Sequence, residues 1–406
     1  MKTVLKSFVL IICVLSLLFV VKLRTDAVMS QQAQLQAEAS AAALEEQLAA
    51  ELASEPSPAV QEVTVTAPPT PTPTPEPQPE YFTISCIGDC TLWSNQNYAN
   101  HPAGYAGVIN GDYSYPFANT VSYFENDDYT LANLECILSD TSLSYDTSRV
   151  LFPFIAPSEY ANIMIDGKVD FVTTANNHMM DCWEKGAEST YAVLDYYGIP
   201  YGAEKQSQIV MTDSGLKLGI YCAGTDMLPQ KDPAVAAVQQ LKAEGAEYII
   251  CMFHWGQELY YEVSKSQSDI AHACIDAGAN LIYGSHPHCL QPVEGYNGGV
   301  ILYSVGNWTF GGNTMPSDPD TAIVQVKVKR DLDGTISNDD IDLIPCCVSS
   351  RIDEAMVKAQ NYNDYKPTPY PEESEGYARV MAKLTGEFRP ASQGADYSNW
   401  YASRAA

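Results

Sequence analysis

Two histidines separated by one proline, His286-Pro287-His288, close an apolar run at residues 280–285. Neutral imidazole is a metal ligand and a proton carrier. Pro287 fixes its own φ and biases His286 toward an extended backbone. In an extended backbone, residues two apart point to the same side. The spacing predicts two imidazoles held side by side at a strand end, which is what a metal needs. The chain has only six histidines, so a pair this close concentrates a scarce residue. The competing reading is a strand-end turn with exposed rings.

Other chemistry-bearing residues follow other apolar runs in the same way. Gly88-Asp89 follows residues 82–87, and Asn133-Leu134-Glu135 follows 129–132. Asn176-Asn177-His178 follows 171–175, with Asp181 beyond, and His254-Trp255-Gly256 follows 248–253. Gly306-Asn307 follows 300–304. In open α/β sheets, sites form outside the carboxyl ends of strands. Each motif alone is weak: Gly-Asp is commonly a turn, and Asn-Asn-His could cap a helix. Together these strand ends gather Asp, Glu, Asn and four of the six histidines. Imidazole and carboxylate together suit Zn, Mn or Fe. His272 falls on a helical pattern and His101 in a Pro/Gly-rich loop, so neither is assigned to the site.

The elements that must position these residues alternate. Strand-like runs at 82–87, 129–132, 169–173, 216–222, 248–253, 280–283 and 300–304 are separated by helical patterns. Those lie at 116–125, 158–165, 184–197, 233–244 and 267–277. Such alternation predicts a layered α/β domain. Residues 322–329 and 340–344 read as adjacent strands, an antiparallel addition to a sheet. Beyond about residue 351 the chain is polar, with one helical pattern at 377–385. The remainder reads as a loose tail or a wrapping extension.

The set Gly88-Asp89, Ala132-Asn-Leu-Glu135, Ala175-Asn-Asn-His178, His254-Trp-Gly-Gln-Glu258, Gly284-Ser-His-Pro-His288 and Tyr303-Ser-Val-Gly-Asn307 resembles the bacterial capsule synthesis CapA family. This is the PGA_cap domain of poly-γ-glutamate biosynthesis, whose fold is similar to calcineurin-like metallophosphatases. The resemblance covers residues 82–312. It implies an α/β/β/α sandwich holding two divalent metals. By that resemblance Asp89 is a first-site ligand and Glu135 stands at the metal-bridging position. Asn177 and His254 serve the second metal, and His286 and His288 divide between the two. His178 is the acid near the scissile bond, and Asn133, Glu258 and Asn307 bind substrate. The expected activity is that of a metal-dependent hydrolase or transferase, phosphoesterase-like, in capsule polymer synthesis. The rival is a non-catalytic assembly or tethering component of a synthase and export complex. The missing first-motif histidine favours that rival, while the retained His178 and His286-Pro287-His288 favour the enzyme; two departures bear on whether both metal sites are filled. The broad metallophosphatase motif is Asp-x-His, whereas Asp89-Cys90-Thr91 lacks the histidine, and the bridging Asp is replaced by Glu135.

The rest of the chain bounds where this chemistry would operate. Lys2 and Lys6 precede an uncharged apolar run at residues 8–21, followed by Lys22 and Arg24. This reads as a signal anchor over residues 1–29, with a cleaved secretory signal as the alternative. Residues 30–54 read as a helical stalk. Residues 55–80 carry a Pro/Thr run and read as an extended spacer. The folded domain is expected over 81–350, outside the cell membrane, with residues 351–406 as the extension. Its partners would be the membrane, an anionic envelope polymer or its precursor, and other synthase subunits. A net charge of −28 argues against nucleic acid. Eleven cysteines without a CxxC pair, mostly inside apolar runs, predict buried thiols and few disulfides.

Overall fold

The computed structural model describes residues 77–95, 98–312, 314, 316–351 and 363–390. The proposed anchor, stalk and all but the last residues of the spacer lie outside them. Among the described residues, no helix is long and apolar enough to cross a membrane.

In chain order the strands are β1 (Glu80–Thr91), β2 (Tyr129–Leu134), β3 (Ile137–Leu138), β4 (Ile155–Ala156), β5 (Phe171–Thr173), β6 (Tyr201–Gly202), β7 (Gln206–Met211) and β8 (Lys217–Ala223). They continue as β9 (Tyr248–His254), β10 (Leu281–Ser285), β11 (Val293–Tyr296), β12 (Gly299–Leu302), β13 (Asn307–Phe310), β14 (Asp320–Arg330), β15 (Ile336–Cys347) and β16 (Thr368–Pro369). One sheet runs β16-β15-β14-β1-β2-β5-β6, with β13 added in parallel beside the end of β1. The second runs β11-β12-β10-β9-β8-β7.

Alternation along β9 shows how the layers form. Tyr248, Ile250 and Met252 enter the core between the sheets, with Phe82, Ile84 and Cys86 of β1. Ile249, Cys251 and Phe253 face the other way, onto helices Lys231–Ala243 and Lys265–Ala277 through Leu241, Ile270 and Cys274. The outer face of the first sheet packs Ile87, Ala132 and Val172 with Phe117, Phe124 and Leu194. A period of two therefore buries both faces of each sheet. The result is the expected helix–sheet–sheet–helix sandwich.

The structure departs from the sequence reading in several elements. The helix expected at 116–125 breaks into a 3-10 turn, Tyr115–Phe117, and one turn of helix, Val121–Phe124. The helix expected at 158–165 likewise starts as 3-10 at Ser158–Ala161. Strands β7, β11 and β13 were not anticipated. β7 is a polar edge strand, and β13 has only four residues. The antiparallel pair foreseen near 322–344 is β14 and β15.

The described part of the C-terminal extension packs against the sheets rather than trailing free. β16 pairs with β15, and helix Glu375–Leu384 buries Val380 and Leu384 in the inter-sheet core. Lys383, 3% exposed, donates to both Asp318 oxygens at 2.7 Å and to Asp320 at 2.6 Å. Arg379 forms a two-pronged pair with Asp320 at 2.7 Å. Removing one partner of a buried ion pair strands the other charge without water. Lys383→Met is therefore expected to cost about 3–5 kcal/mol of unfolding free energy, measured by urea denaturation. A loss below about 1 kcal/mol, the range of exposed pairs, would show that this cluster does not hold the helix.

Ten cysteines are described, all buried and all free thiols. Burial pushes the thiols of Cys136 and Cys222 up to about 12. They act as small apolar residues, as their positions in the strands imply.

Candidate functional site

The carboxyl ends of β1, β2, β9 and β10 converge because those strands run parallel within their sheets and the sheets stack. Two close backbone approaches allow this convergence. A Cβ on Gly88 would lie 2.3 Å from the Gly306 carbonyl oxygen, and one on Gly284 would lie 2.1 Å from that of Tyr303. Only glycine fits at either point. Asp89 N–H donates to Gly306 O at 2.9 Å, and Glu135 N–H donates to Cys90 O at 2.9 Å. These bonds fix the two carboxylate-bearing residues relative to β13 and β1.

At the centre lies Glu135, fully buried, with neither carboxylate oxygen hydrogen-bonded. Its Oε1 is 3.5 Å from His254 Nε2 and 3.9 Å from both His178 Nε2 and His288 Nε2. His286 is also buried and its Nδ1 has no partner. Its ring lies 4.7 Å from that of His254 and 5.9 Å from that of His288. An unpaired buried carboxylate normally costs several kcal/mol. Unpaired oxygen and nitrogen lone pairs converging on one point are a cation's donor set. Around these unpaired atoms, three groups of side chains have potential ligand atoms within 4.8 Å of one another: Glu135–His254–His286, Asp89–Glu135–His288 and Glu258–His286–His288. Glu135 belongs to two of them, as a bridging position would. The chemistry of the donors therefore fits a divalent metal.

The electrostatics have the same character. Burial, then the Asp89 charge, holds the Glu135 carboxyl well above the usual range. Burial, then the neighbouring His288, pushes His286 down to about 3, and burial drives His254 well below its ordinary value. Both shifts favour the neutral imidazole, the form that ligates metals. Burial opposes a charge on His288 too, but Glu135 and Asp89 outweigh it and raise it to about 10. A charge on His288 is thus favoured by the two carboxyl groups beside it.

The supporting hydrogen bonds revise three expectations. Asn133 was expected to bind substrate, yet it is fully buried and its amide is spent. Its Nδ2 donates to Asp89 Oδ1 at 2.8 Å and lies 3.3 Å from His254 Nδ1, while its Oδ1 accepts from Asn176 at 3.0 Å. Asn133 orients two ligand candidates. Asn307 was given the same role. Its Oδ1 lies 2.9 Å from His288 Nδ1 and its Nδ2 donates to His288 O at 3.4 Å, so it fixes that ring. The third revision concerns backbone shape. His286 has φ 94° and His288 φ 53°, so the extended segment expected around Pro287 is not formed. The left-handed backbone costs about 1–3 kcal/mol per residue. Neighbours hold it there: His286 N–H donates to Asp89 Oδ2 at 3.4 Å, and Leu259 N–H to Pro287 O at 2.7 Å. The imidazoles do meet, but through two turns rather than through strand alternation.

Asn177 and His178 begin a 3-10 turn, Asn177–Met180, just after β5. Asn177 Oδ1 lies 2.7 Å from His254 Nε2. His178 Nδ1 lies 2.8 Å from Asp181 Oδ2, its ring packs 4.7 Å from Phe154, and its side chain is 14% exposed. The positioning roles of Asp181 and Ser285 were not assigned from sequence. Ser285 Oγ lies 2.9 Å from His254 Nδ1. Asp181 sits three residues after His178, the spacing of one helical turn, which is the signal that could have found it. Glu258, Asn177 and His178 line a cleft of about 460 Å³ together with Arg149, Trp183 and Met227. His272 lies elsewhere, stacked on Tyr296 at 3.8 Å and paired with Glu294.

Comparisons with known proteins follow this geometry. The chain is 28% identical over 279 residues to a capsule biosynthesis protein CapA of Bacillus anthracis, covering 62% of this chain and 67% of that one. It is 30% identical over 205 residues to a PGA biosynthesis protein CapA of Bacillus subtilis (46% and 54%). The match thus spans about half the length of the B. subtilis relative. It is 25% identical over 253 residues to a probable polyglutamine synthesis accessory protein of Mycobacterium tuberculosis (52% and 66%). Among solved structures, the NAD nucleotidase of Haemophilus influenzae aligns with 81% of this chain and 67% of its own, at 13% identity and TM-score 0.40. A likeness of that degree says nothing about activity. The model of the family described as "Bacterial capsule synthesis protein PGA_cap" matches residues 83–312, which contain every residue of the cluster above, and the chain belongs to that family.

Proposed function

We propose that this protein is a metal-dependent hydrolase or transferase of capsule-type, poly-γ-glutamate polymer synthesis. In this reading an N-terminal anchor holds it at the cell membrane with the α/β domain outside. There it acts on the anionic polymer or its precursor beside other synthase subunits. The observation that carries the reading is Glu135: a buried carboxylate without a partner, ringed by imidazoles, next to a cleft that reaches His178.

Asp89, Glu135 and His288 would hold one divalent ion, and Glu135, His254 and His286 a second, with Asn177 and Glu258 within reach. A mixed nitrogen and oxygen set suits Mn, Fe or Zn. Such ions, when bound, supply Lewis acidity and an activated water. The chain's own residues do the rest. Asp181 fixes the His178 ring through Nδ1, which leaves Nε2 turned toward Glu135 and the cleft. That nitrogen can deliver a proton to a leaving group. Asn133, Asn307 and Ser285 hold Asp89, His288 and His254 in place.

A second reading, a non-catalytic assembly component, has one observation in its favour. Thr91 stands where the broad metallophosphatase motif has histidine, and its Oγ1 is spent on Glu135 O at 3.1 Å. That ligand position is therefore not replaced. Metal analysis of the purified chain, together with assays on phosphoesters and on γ-linked glutamate oligomers, separates the readings. Bound divalent metal and turnover abolished by chelation are expected. A fully metal-loaded chain without turnover on either substrate class would favour assembly.

A further inference from the structure

The cleft beside the ligand cluster has an unassigned wall. The loop between β3 and β4 passes over it and brings Asp146, Arg149, Val150, Leu151 and Phe152 to the side facing Asn177, His178 and Glu258. This loop is tied to the chemistry at both ends. β3 begins two residues after Glu135, and Phe154, just before β4, packs on the His178 ring at 4.7 Å. Ile137 N–H donates to Phe154 O at 2.9 Å.

Within the loop, the turn is built by Asp146. Its Oδ1 accepts from Ser148 N at 2.9 Å and from Ser148 Oγ at 2.6 Å. Its carbonyl accepts from Arg149 N at 3.0 Å and from Val150 N at 2.9 Å. The backbone of Arg149 is thereby fixed. Among the described residues, its exposed guanidinium has no hydrogen-bond partner. Among the residues lining the cleft, Arg149 is the one Lys or Arg. Of the acids nearby, Asp181 is engaged with His178 at 2.8 Å, Asp146 bonds Ser148 and also feels the Arg149 charge, and Glu258 lines the cleft beside the ligand cluster.

We infer that Arg149 is the anion-recognition residue of this cleft, pairing with a carboxylate or phosphoryl group of the substrate while the scissile bond lies at His178. The inference rests on the functional reading above and names what its substrate must carry. The physical need is clear. A chain of net charge −28 repels an anionic substrate at long range. A fixed fork of N–H donors matches two coplanar or tetrahedral oxygens better than an ammonium would. Anchoring a charged group away from the reacting centre also converts binding energy into orientation.

The test uses the full chain loaded with Mn²⁺, with equilibrium binding read by calorimetry and by tryptophan fluorescence, Trp183 being in the cleft wall. The probes are a γ-linked glutamate oligomer and inorganic phosphate. Arg149→Gln is expected to weaken binding about tenfold or more, the scale of one lost charged hydrogen-bond pair. Its metal content should be unchanged and its salt dependence shallower, and Arg149→Lys should fall between the two. A loss confined to the oligomer identifies a carboxylate; a loss confined to phosphate identifies a phosphoryl group. Equal binding of both probes by Arg149→Gln and the unaltered chain overturns the inference, as does failure of the unaltered chain to bind either. Arg149-dependent binding without any turnover upholds it and refutes the catalytic reading instead.

Discussion

His178→Ala is expected to lower turnover by roughly 10²–10⁴-fold while leaving metal content nearly intact. The structure separates this ring from the ligand groups. Its Nδ1 is taken by Asp181 at 2.8 Å, and its Nε2 is 3.9 Å from Glu135, at the cleft edge. It also belongs to none of the three close donor groups. On the catalytic reading, removing it deletes a proton donor and spares the candidate ligands. Asp181→Asn should reproduce part of the loss, because the ring keeps its place but loses the carboxylate that fixes its tautomer and orientation. Metal analysis and rate measurements on the same samples check this. Full polymer production in cells by a stable, metal-loaded His178→Ala protein would end the catalytic reading and leave the assembly role.

Glu135→Ala should have opposite effects on stability and on metal binding. Without a cation, Glu135 is a buried carboxylate with no hydrogen bond to either oxygen, and burial holds its carboxyl well above the usual range. Removing it relieves a desolvation cost of about 1–3 kcal/mol, less the cost of the small cavity left behind. The metal-free variant should therefore unfold at equal or higher denaturant than the metal-free parent. With metal, the order reverses. A ligand that binds only the folded state adds RT ln(1 + [L]/Kd), about 2.7 kcal/mol at a hundredfold excess over Kd. The parent should gain this and the variant should not, because Glu135 serves two donor groups. Urea unfolding of both proteins, with chelator and with Mn²⁺, gives the four midpoints. A variant that still gains stability from metal would remove Glu135 from the ligand set. Its activity should fall with its metal.

The parts of this molecule that were legible in the sequence share one property: they depend on neighbours in the chain. The run at 248–253 reads as a strand because its apolar residues are contiguous, and His254 at its end is placed once the strand is recognised. The same holds for Asp89, Glu135 and Asn177, each at or just past a strand end. Roles set by distant partners were not legible. Asn133 looks like a substrate contact until Asn176 and His254 close around its amide, 43 and 121 residues away. β7 was invisible because Gln206–Met211 is a half-exposed edge strand whose register comes from β8. The left-handed turn at His286 contradicts the preference of a residue before proline, and His288, after the proline, turns the same way. They exist because Asp89 and Leu259 supply hydrogen bonds that local sequence does not reveal.

The position of β1 in its sheet has a consequence for how the protein matures. β1 stands between β2 and β14, and its pairing with β14 joins residues about 240 apart, as in the Ser85–Gln325 contact. A chain made from its N-terminus holds Asp89 and Cys86 early but cannot close this strand until most of the sequence has followed. Contacts so far apart in sequence form slowly. During that interval the thiols are still solvent-accessible and ionise normally, whereas in the finished sheet burial suppresses the thiolate that reacts with oxidants. Sheet closure is thus the step that removes these cysteines from redox chemistry, so slow closure in an oxidising compartment would favour wrong cross-links over the native fold.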